Sequence, residues 1–322
     1  MPAEIPRKPL AAIEPTGSLW AVVLAGGEGV RLRPLTRRLC GDERPKQYAA
    51  LVGSRSLLRH TLDRVALVIP PERTVVATLR SHNGYVAAEF GGAAYPWVLA
   101  QPEDRGTAAG VLYPAHWVAR RDPAATVAVF PSDHFVLEES VFMVHVAQVA
   151  ALVGRHPDWI VLLGAEPGEP ETEYGWIESG EPVEWMATGP VCRVRRFWEK
   201  PSAEAARDCL ARGCLWNTLV VVALASTLVA AGRQLLPELH DRLAEVAASP
   251  ALDANAAAAA AYAAAPRANF SQAILERCPS GLVVSRLPRL AWSDWGTPRR
   301  VSQSLRGAGI RAPWLDAFDQ PA

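Results

Sequence analysis

The chain has 322 residues, half of them hydrophobic and a fifth charged, with 33 basic and 33 acidic side chains that cancel. That length can bury one large core or two modest ones, and the balanced charge gives no ground for nucleic acid or an anionic membrane as the main partner. No run is long enough for a signal peptide or a bilayer span, so the expected setting is the cytoplasm, with no membrane partner.

Residues 1–18 are proline-rich and read as a flexible N-terminal segment. Leu19 to Ala25 is a continuous apolar run ending in glycines. It predicts a buried parallel strand that delivers its C-terminal end to a loop, where open α/β sheets bind ligands. Similar runs lie at Thr74–Leu79, Tyr95–Leu99, Thr126–Phe130, Trp159–Gly164 and Leu219–Leu224, with helices expected at Leu57–Val65, Thr107–Arg120 and Val141–Val153. Strands alternating with helices predict an α/β fold built on a doubly wound, mostly parallel sheet. From about Pro237 the texture turns helical and alanine-rich, and Ala256–Ala265, broken only by Tyr262, reads as a surface helix of low information content. A strand-like Leu282–Pro288 follows. The expected division is therefore residues 1–18, an α/β core over 19–236, and a smaller helical and strand subdomain over 237–322 that completes the site. Five scattered cysteines, without a C-x-x-C pair or zinc-spaced histidines, read as free thiols.

In AGGEGVRLRPLT, Gly26, Gly27 and Gly29 remove side chains where backbone N–H groups can approach phosphate oxygens, and Arg31 adds a charged donor fork. The segment is neither the dinucleotide fingerprint, since Leu32 holds the third glycine position, nor a P-loop, since no Gly-Lys-Ser/Thr follows. On its own it reads equally as a turn. Lys46, in Pro45-Lys46-Gln47-Tyr48, reads as a surface lysine or as a second charge for the same phosphates.

LAGGEGVRLRPLT, PKQY, QPEDRGTAAG, VFPSDHF, ETEYGWIE, FWEKP, LWNT and WSDWG occur in that order between Trp20 and Gly296. Together they resemble the motifs of the mannose-1-phosphate guanylyltransferase family, within the sugar-phosphate nucleotidyltransferases. The resemblance implies a Rossmann-like nucleotidyltransferase fold. It also implies in-line attack of a sugar 1-phosphate on the α-phosphorus of a nucleoside triphosphate, most simply mannose 1-phosphate on GTP, with pyrophosphate leaving. By the same resemblance Arg31, Lys46 and Lys200 are the catalytic cations, while Gln101, Arg105, Gly106 and Thr107 join the glycine loop in binding nucleotide. Gly175, Glu199 and Asn217 bind sugar, and Asp133 and Asp294 hold Mg2+, an ion suited to hard carboxylate oxygens. His134 is given a structural or hydrogen-bonding role, because a phosphate dianion needs no general base. Trp176, Trp198, Trp216, Trp292 and Trp295 read as pocket walls or as core.

Two positions depart from the pattern. Glu173 stands where the sugar loop has its first glycine, and Leu219 stands where glycine follows the Trp-Asn-Ser triplet. Another base or hexose therefore stays open, as does a catalytically silent homologue that binds nucleotide sugars. A dinucleotide-binding oxidoreductase would need the missing third glycine. The chain stops soon after WSDWG, so no appended isomerase or β-helix module is expected, and a homodimer through another face stays open.

Overall fold

The computed structural model describes residues 18–249 and 256–315, so the expected N-terminal segment lies outside the described residues except for Ser18. In chain order the elements are β1 (Leu19–Leu24), α1 (Arg33–Cys40), α2 (Leu57–Val65), β2 (Thr74–Leu79), α3 (Asn83–Phe90), β3 (Trp97–Gln101), α4 (Gly106–Arg121), β4 (Thr126–Pro131), β5 (Phe135–Val136) and α5 (Glu139–Arg155). There follow β6 (Ile160–Ala165), β7 (Gly175–Met186), β8 (Gly189–Glu199), α6 (Ala203–Ala211), β9 (Leu215–Leu224), α7 (Ala225–Leu235), α8 (Pro237–Ala248), α9 (Ala256–Ala263), β10 (Leu282–Arg286), β11 (Trp292–Ser293) and α10 (Pro298–Gly307).

Nine strands form one sheet in the order β3-β2-β1-β4-β9-β6-β10-β8-β7, and β5 pairs separately with β11. The expected mostly parallel sheet is present: β1 runs parallel to β2 and β4, β2 to β3, and β6 to β10. Continuous apolar strands fit it because helices cover both faces. On β1, Trp20 and Val22 join Leu112, Leu228 and Leu243 of α4, α7 and α8. Leu19, Ala21 and Val23 join Leu58 and Leu62 of α2 and Val146 of α5 on the other side. The alternation is that of a strand whose successive side chains point to opposite faces.

One expectation is corrected. The run read at Leu219–Leu224 as a parallel strand starts at Leu215 and lies antiparallel to both β4 and β6. Its direction brings its first residues to the carboxyl end of β6, where Trp216 pairs with Ala165 and Asn217 with Gly164. The long β7–β8 hairpin, which no apolar run had marked, places Gly175 opposite Glu199 in register. Residues after 237 build onto the same body: α8 packs on the α4 face, and β10 lies between β6 and β8. A third cluster joins Leu32 and Leu35 to Phe135, Trp295, Val301 and Leu305, and so anchors α1 and α10 beside the β5–β11 pair. No helix among the described residues is long and apolar enough to cross a membrane.

Candidate active site

The glycine segment leaves the carboxyl end of β1 and forms one wall of a cleft of about 870 Å³. Gly26, Gly27, Gly29, Arg31, Gln101, Gly106, Thr107 and Lys200 all line it. The loop is shaped from behind by PKQY. Gln47, fully buried, donates to the Ala25 carbonyl at 2.9 Å and the Gly27 carbonyl at 2.7 Å, and the Tyr48 hydroxyl lies 2.8 Å from Thr78 Oγ1. Gly29 has φ +59° and sits so close to the next segment that a Cβ there would stand 2.9 Å from the Lys46 nitrogen. Both the backbone conformation and the space require glycine.

Lys46 is buried and all three of its ammonium donors are occupied. Nζ donates to the Asp294 carbonyl at 2.7 Å and the Trp295 carbonyl at 3.1 Å, and pairs with Asp133 Oδ2 at 3.2 Å. One cation thus ties the loop after β4 to WSDWG, and brings the two predicted metal carboxylates into one neighbourhood.

The donor chemistry fits a hard divalent cation unequally at the two carboxylates. Asp133 keeps a partly exposed carboxylate whose near partner is Lys46. Asp294 is already engaged: Oδ1 accepts from the Tyr174 hydroxyl at 2.7 Å and from the Gly296 N–H at 2.9 Å, and Arg300 Nη1 lies 3.0 and 2.9 Å from its two oxygens. Burial pushes the Asp294 carboxyl up, yet His134, the Tyr174 hydrogen bond, Arg300 and Lys46 outweigh burial and hold it below its ordinary value. Arg300 also pairs with Glu171, and its guanidinium lies 4.5 Å from the Tyr174 ring centroid. Arg300 lies outside the sequence motifs, and Tyr174 lies within ETEYGWIE but is given no role there; the pairing of both arises in the tertiary structure. His134 packs edge-on to Trp292, and burial pushes its imidazole down to about 4, so it is neutral near pH 7 and serves as packing.

The predicted sugar residues converge. A Cβ on Gly175 would meet Phe197 Cζ at 2.9 Å, Asn217 Cβ at 3.1 Å and Glu199 Oε2 at 3.1 Å, which is why glycine stands there. Burial pushes the Glu199 carboxyl up; Lys200 pulls it down and Glu276 pushes it further up. Glu276 also accepts the Glu199 backbone N–H at 2.5 Å. Asn217 Oδ1 accepts from the Leu219 N–H at 3.1 Å, and Leu219 keeps a glycine-like φ of +56°.

For the predicted nucleotide residues the outcome is divided. Thr107 Oγ1 accepts from the Phe270 N–H at 2.9 Å, and the Gln101 amide is held between the Thr78 carbonyl at 3.2 Å and the Tyr262 hydroxyl at 2.6 Å. Arg105 does not face the cleft: it donates to the Ala263 carbonyl and pairs with Glu103 at 2.7 Å. The alanine-rich helix, read as an uninformative surface element, is corrected here, because Tyr262 is fully buried and orients Gln101. Of the tryptophans, Trp176 and Trp295 are fully buried, and Trp295 stacks on Phe135 at 5.0 Å.

A family model described as nucleotidyl transferase matches residues 20–305. The chain belongs to the nucleotidyl transferase family. Among relatives of this nucleotidyl transferase, the xanthan biosynthesis protein XanB of Xanthomonas campestris pv. campestris is 31% identical over 283 residues, 86% of this chain and 57% of its own. The mannose-1-phosphate guanylyltransferase of Escherichia coli strain K12 is 29% identical over 288 residues, 87% of this chain and 58% of its own. The chain thus spans little more than half the length of these curated relatives. A crystal structure from Thermus thermophilus, described as a mannose-1-phosphate geranyltransferase, superposes with a TM-score of 0.76 at 29% identity, over 92% of this chain and 81% of that one.

Proposed function

We propose that this nucleotidyl transferase moves a nucleoside monophosphate, most simply GMP from GTP, onto a hexose 1-phosphate, most simply mannose 1-phosphate. The observation that carries the reading is the joining of two half-sites. A glycine-walled cleft with Arg31 and Lys200 on its lining adjoins the Gly175–Glu199–Asn217 cluster, because Lys200 follows Glu199 directly. An oxygen of the sugar phosphate attacks the α-phosphorus, the bond to the bridging oxygen breaks, and pyrophosphate leaves with the electron pair. No protein nucleophile takes part, so the work is alignment and charge neutralisation. Arg31 and Lys200 meet phosphate directly. Lys46 acts from behind the loop, holding Asp133 and WSDWG in position.

Asp133 and Asp294 are the residues that would hold Mg2+, which supplies Lewis-acid polarisation of phosphate oxygens when bound. At Asp294 the resident partner is Arg300. That pairing favours a second reading, a silent binder of nucleotide sugars. A cytoplasmic setting goes with either reading. The test is pyrophosphate release by the purified chain with Mg2+, each nucleoside triphosphate and a panel of sugar 1-phosphates. Release is expected to be fastest with GTP and mannose 1-phosphate; binding of nucleotide sugar with no release from any pair would establish the second reading instead.

A further inference from the structure

Glu173 does not point at the sugar cluster. Its Oε2 lies 2.8 Å from Arg31 Nη1 and 3.8 Å from Lys200 Nζ, so a single carboxylate oxygen is shared by two cations that come from the glycine loop and from the end of β8. Both cations line the cleft. Two cations on one anionic oxygen is the arrangement a phosphate oxygen would take between the same groups.

We propose that Glu173 is a built-in phosphate surrogate that fills the anion position between Arg31 and Lys200 until a substrate phosphate displaces it, and so sets how many phosphate charges a ligand needs to enter. This rests on the nucleotidyl transfer reading, in which those two cations meet phosphate. The carboxylate sits on a tethered loop. The Glu173 N–H donates to Glu171 Oε1 at 3.0 Å, Glu171 pairs with Arg300, the Glu171 carbonyl accepts from Trp176 Nε1 at 2.8 Å, and the Tyr174 hydroxyl is bonded to Asp294. The loop's flanks therefore hold the charge near the cations while the Glu173 side chain, half-exposed, stays free to turn out. The carboxylate between them offsets the repulsion of Arg31 and Lys200. Toward a ligand it acts as a filter. A monophosphate, at roughly −1.5 to −2 charge near pH 7, exceeds the single carboxylate charge by little and must overcome its tether, whereas a polyphosphate exceeds it severalfold. Glycine at this position would leave both cations bare to any small anion.

The experiment is a calorimetric titration of the full chain with inorganic tripolyphosphate and with inorganic phosphate, at fixed ionic strength and without sugar phosphate. Removing one unit charge about 4 to 6 Å from a bound anion is worth roughly tenfold in affinity. Glu173→Gln is therefore expected to bind tripolyphosphate about tenfold tighter, to gain binding of inorganic phosphate, and to lose both gains in an Arg31→Gln, Lys200→Gln background. Glu173→Ser provides the same loss of charge should the glutamine variant fail to fold. Equal or weaker binding by the uncharged variants, a gain that survives loss of both cations, or no tripolyphosphate binding by any variant would overturn the proposal. Because binding needs no turnover, a failed transferase assay and a failed surrogate are told apart.

Discussion

Among the described residues three non-glycines have left-handed backbone conformations, Lys200 at φ +50°, Leu219 at +56° and Trp295 at +47°, each within two residues of a candidate site residue: Glu199, Asn217 and Asp294. Strained backbone of this kind persists where the surroundings over-determine it. At Leu219 the determinant is visible, since the N–H is captured by Asn217 Oδ1 while the side chain packs against the core on the α4 face. A side chain with a Cβ costs roughly 1 kcal/mol in this conformation relative to glycine. Leu219→Ala keeps that cost and gives up packing, whereas Leu219→Gly gives up packing but releases the strain. The expected order of thermal midpoints is therefore glycine above alanine, the reverse of the order in ordinary strand positions. Thermal melts of the two variants check it, and alanine above glycine would mean that the Leu219 backbone relaxes on substitution.

Among the elements, α9 is joined to the cleft through an aromatic residue. Tyr262 is fully buried, lies edge-on to Tyr113 at 6.2 Å, and donates its hydroxyl to Gln101 across 161 residues of sequence. Tyr262→Phe keeps the ring and leaves a buried amide oxygen without its donor, a loss of about 1 to 3 kcal/mol. The expected result is a lower melting temperature together with a several-fold higher KM for the nucleoside triphosphate, the KM for sugar phosphate being unchanged. An unaltered melting temperature would refute the coupling of α9 to the cleft wall at Gln101. Sequence reading missed this because an alanine run has no amphipathic stripe to assign a face. It succeeded for β1, β2 and α2, whose apolar residues are continuous or helically spaced. It missed the β7–β8 hairpin because that pair is half-exposed and interrupted by register shifts, which break any continuous apolar run. It missed the direction of β9 because a buried strand has the same composition whichever way it runs. The glycine loop and the Gly175–Glu199–Asn217 cluster were picked out by their motifs; Arg300 was not, since its meaning depends on Glu171 and Asp294 meeting it in space.

On the scale of the whole molecule, the layers on the two faces of the sheet each bury a histidine that must stay neutral. His116 of α4 lies 4.8 Å from His240 of α8, and burial, with His240 adding to it, pushes its imidazole down to about 4. His145 of α5 is 1% exposed, bonded through its ring nitrogens to Thr188 and Ser285 at 3.2 and 3.1 Å, and burial pushes it to about 4 as well. In the unfolded chain both titrate near 6.5. Between about pH 6.5 and 4 the unfolded state therefore binds more protons than the folded one, so stability is complete above that window and falls as pH drops through it. Each histidine contributes up to about 1.4 kcal/mol per pH unit. Carboxyls held below their ordinary values, Asp122, Glu171 and Asp294 among them, add their losses only nearer pH 4 and below. Scanning calorimetry is thus expected to give a melting temperature that is level above pH 7 and declines from pH 6.5 to 5, with His145→Gln removing about a third of the decline, because His134 is a third imidazole held down to about 4. A melting temperature constant from pH 7 to 5 would show that these imidazoles take up protons without unfolding, and that the sheet's two faces open to water more readily than their packing implies.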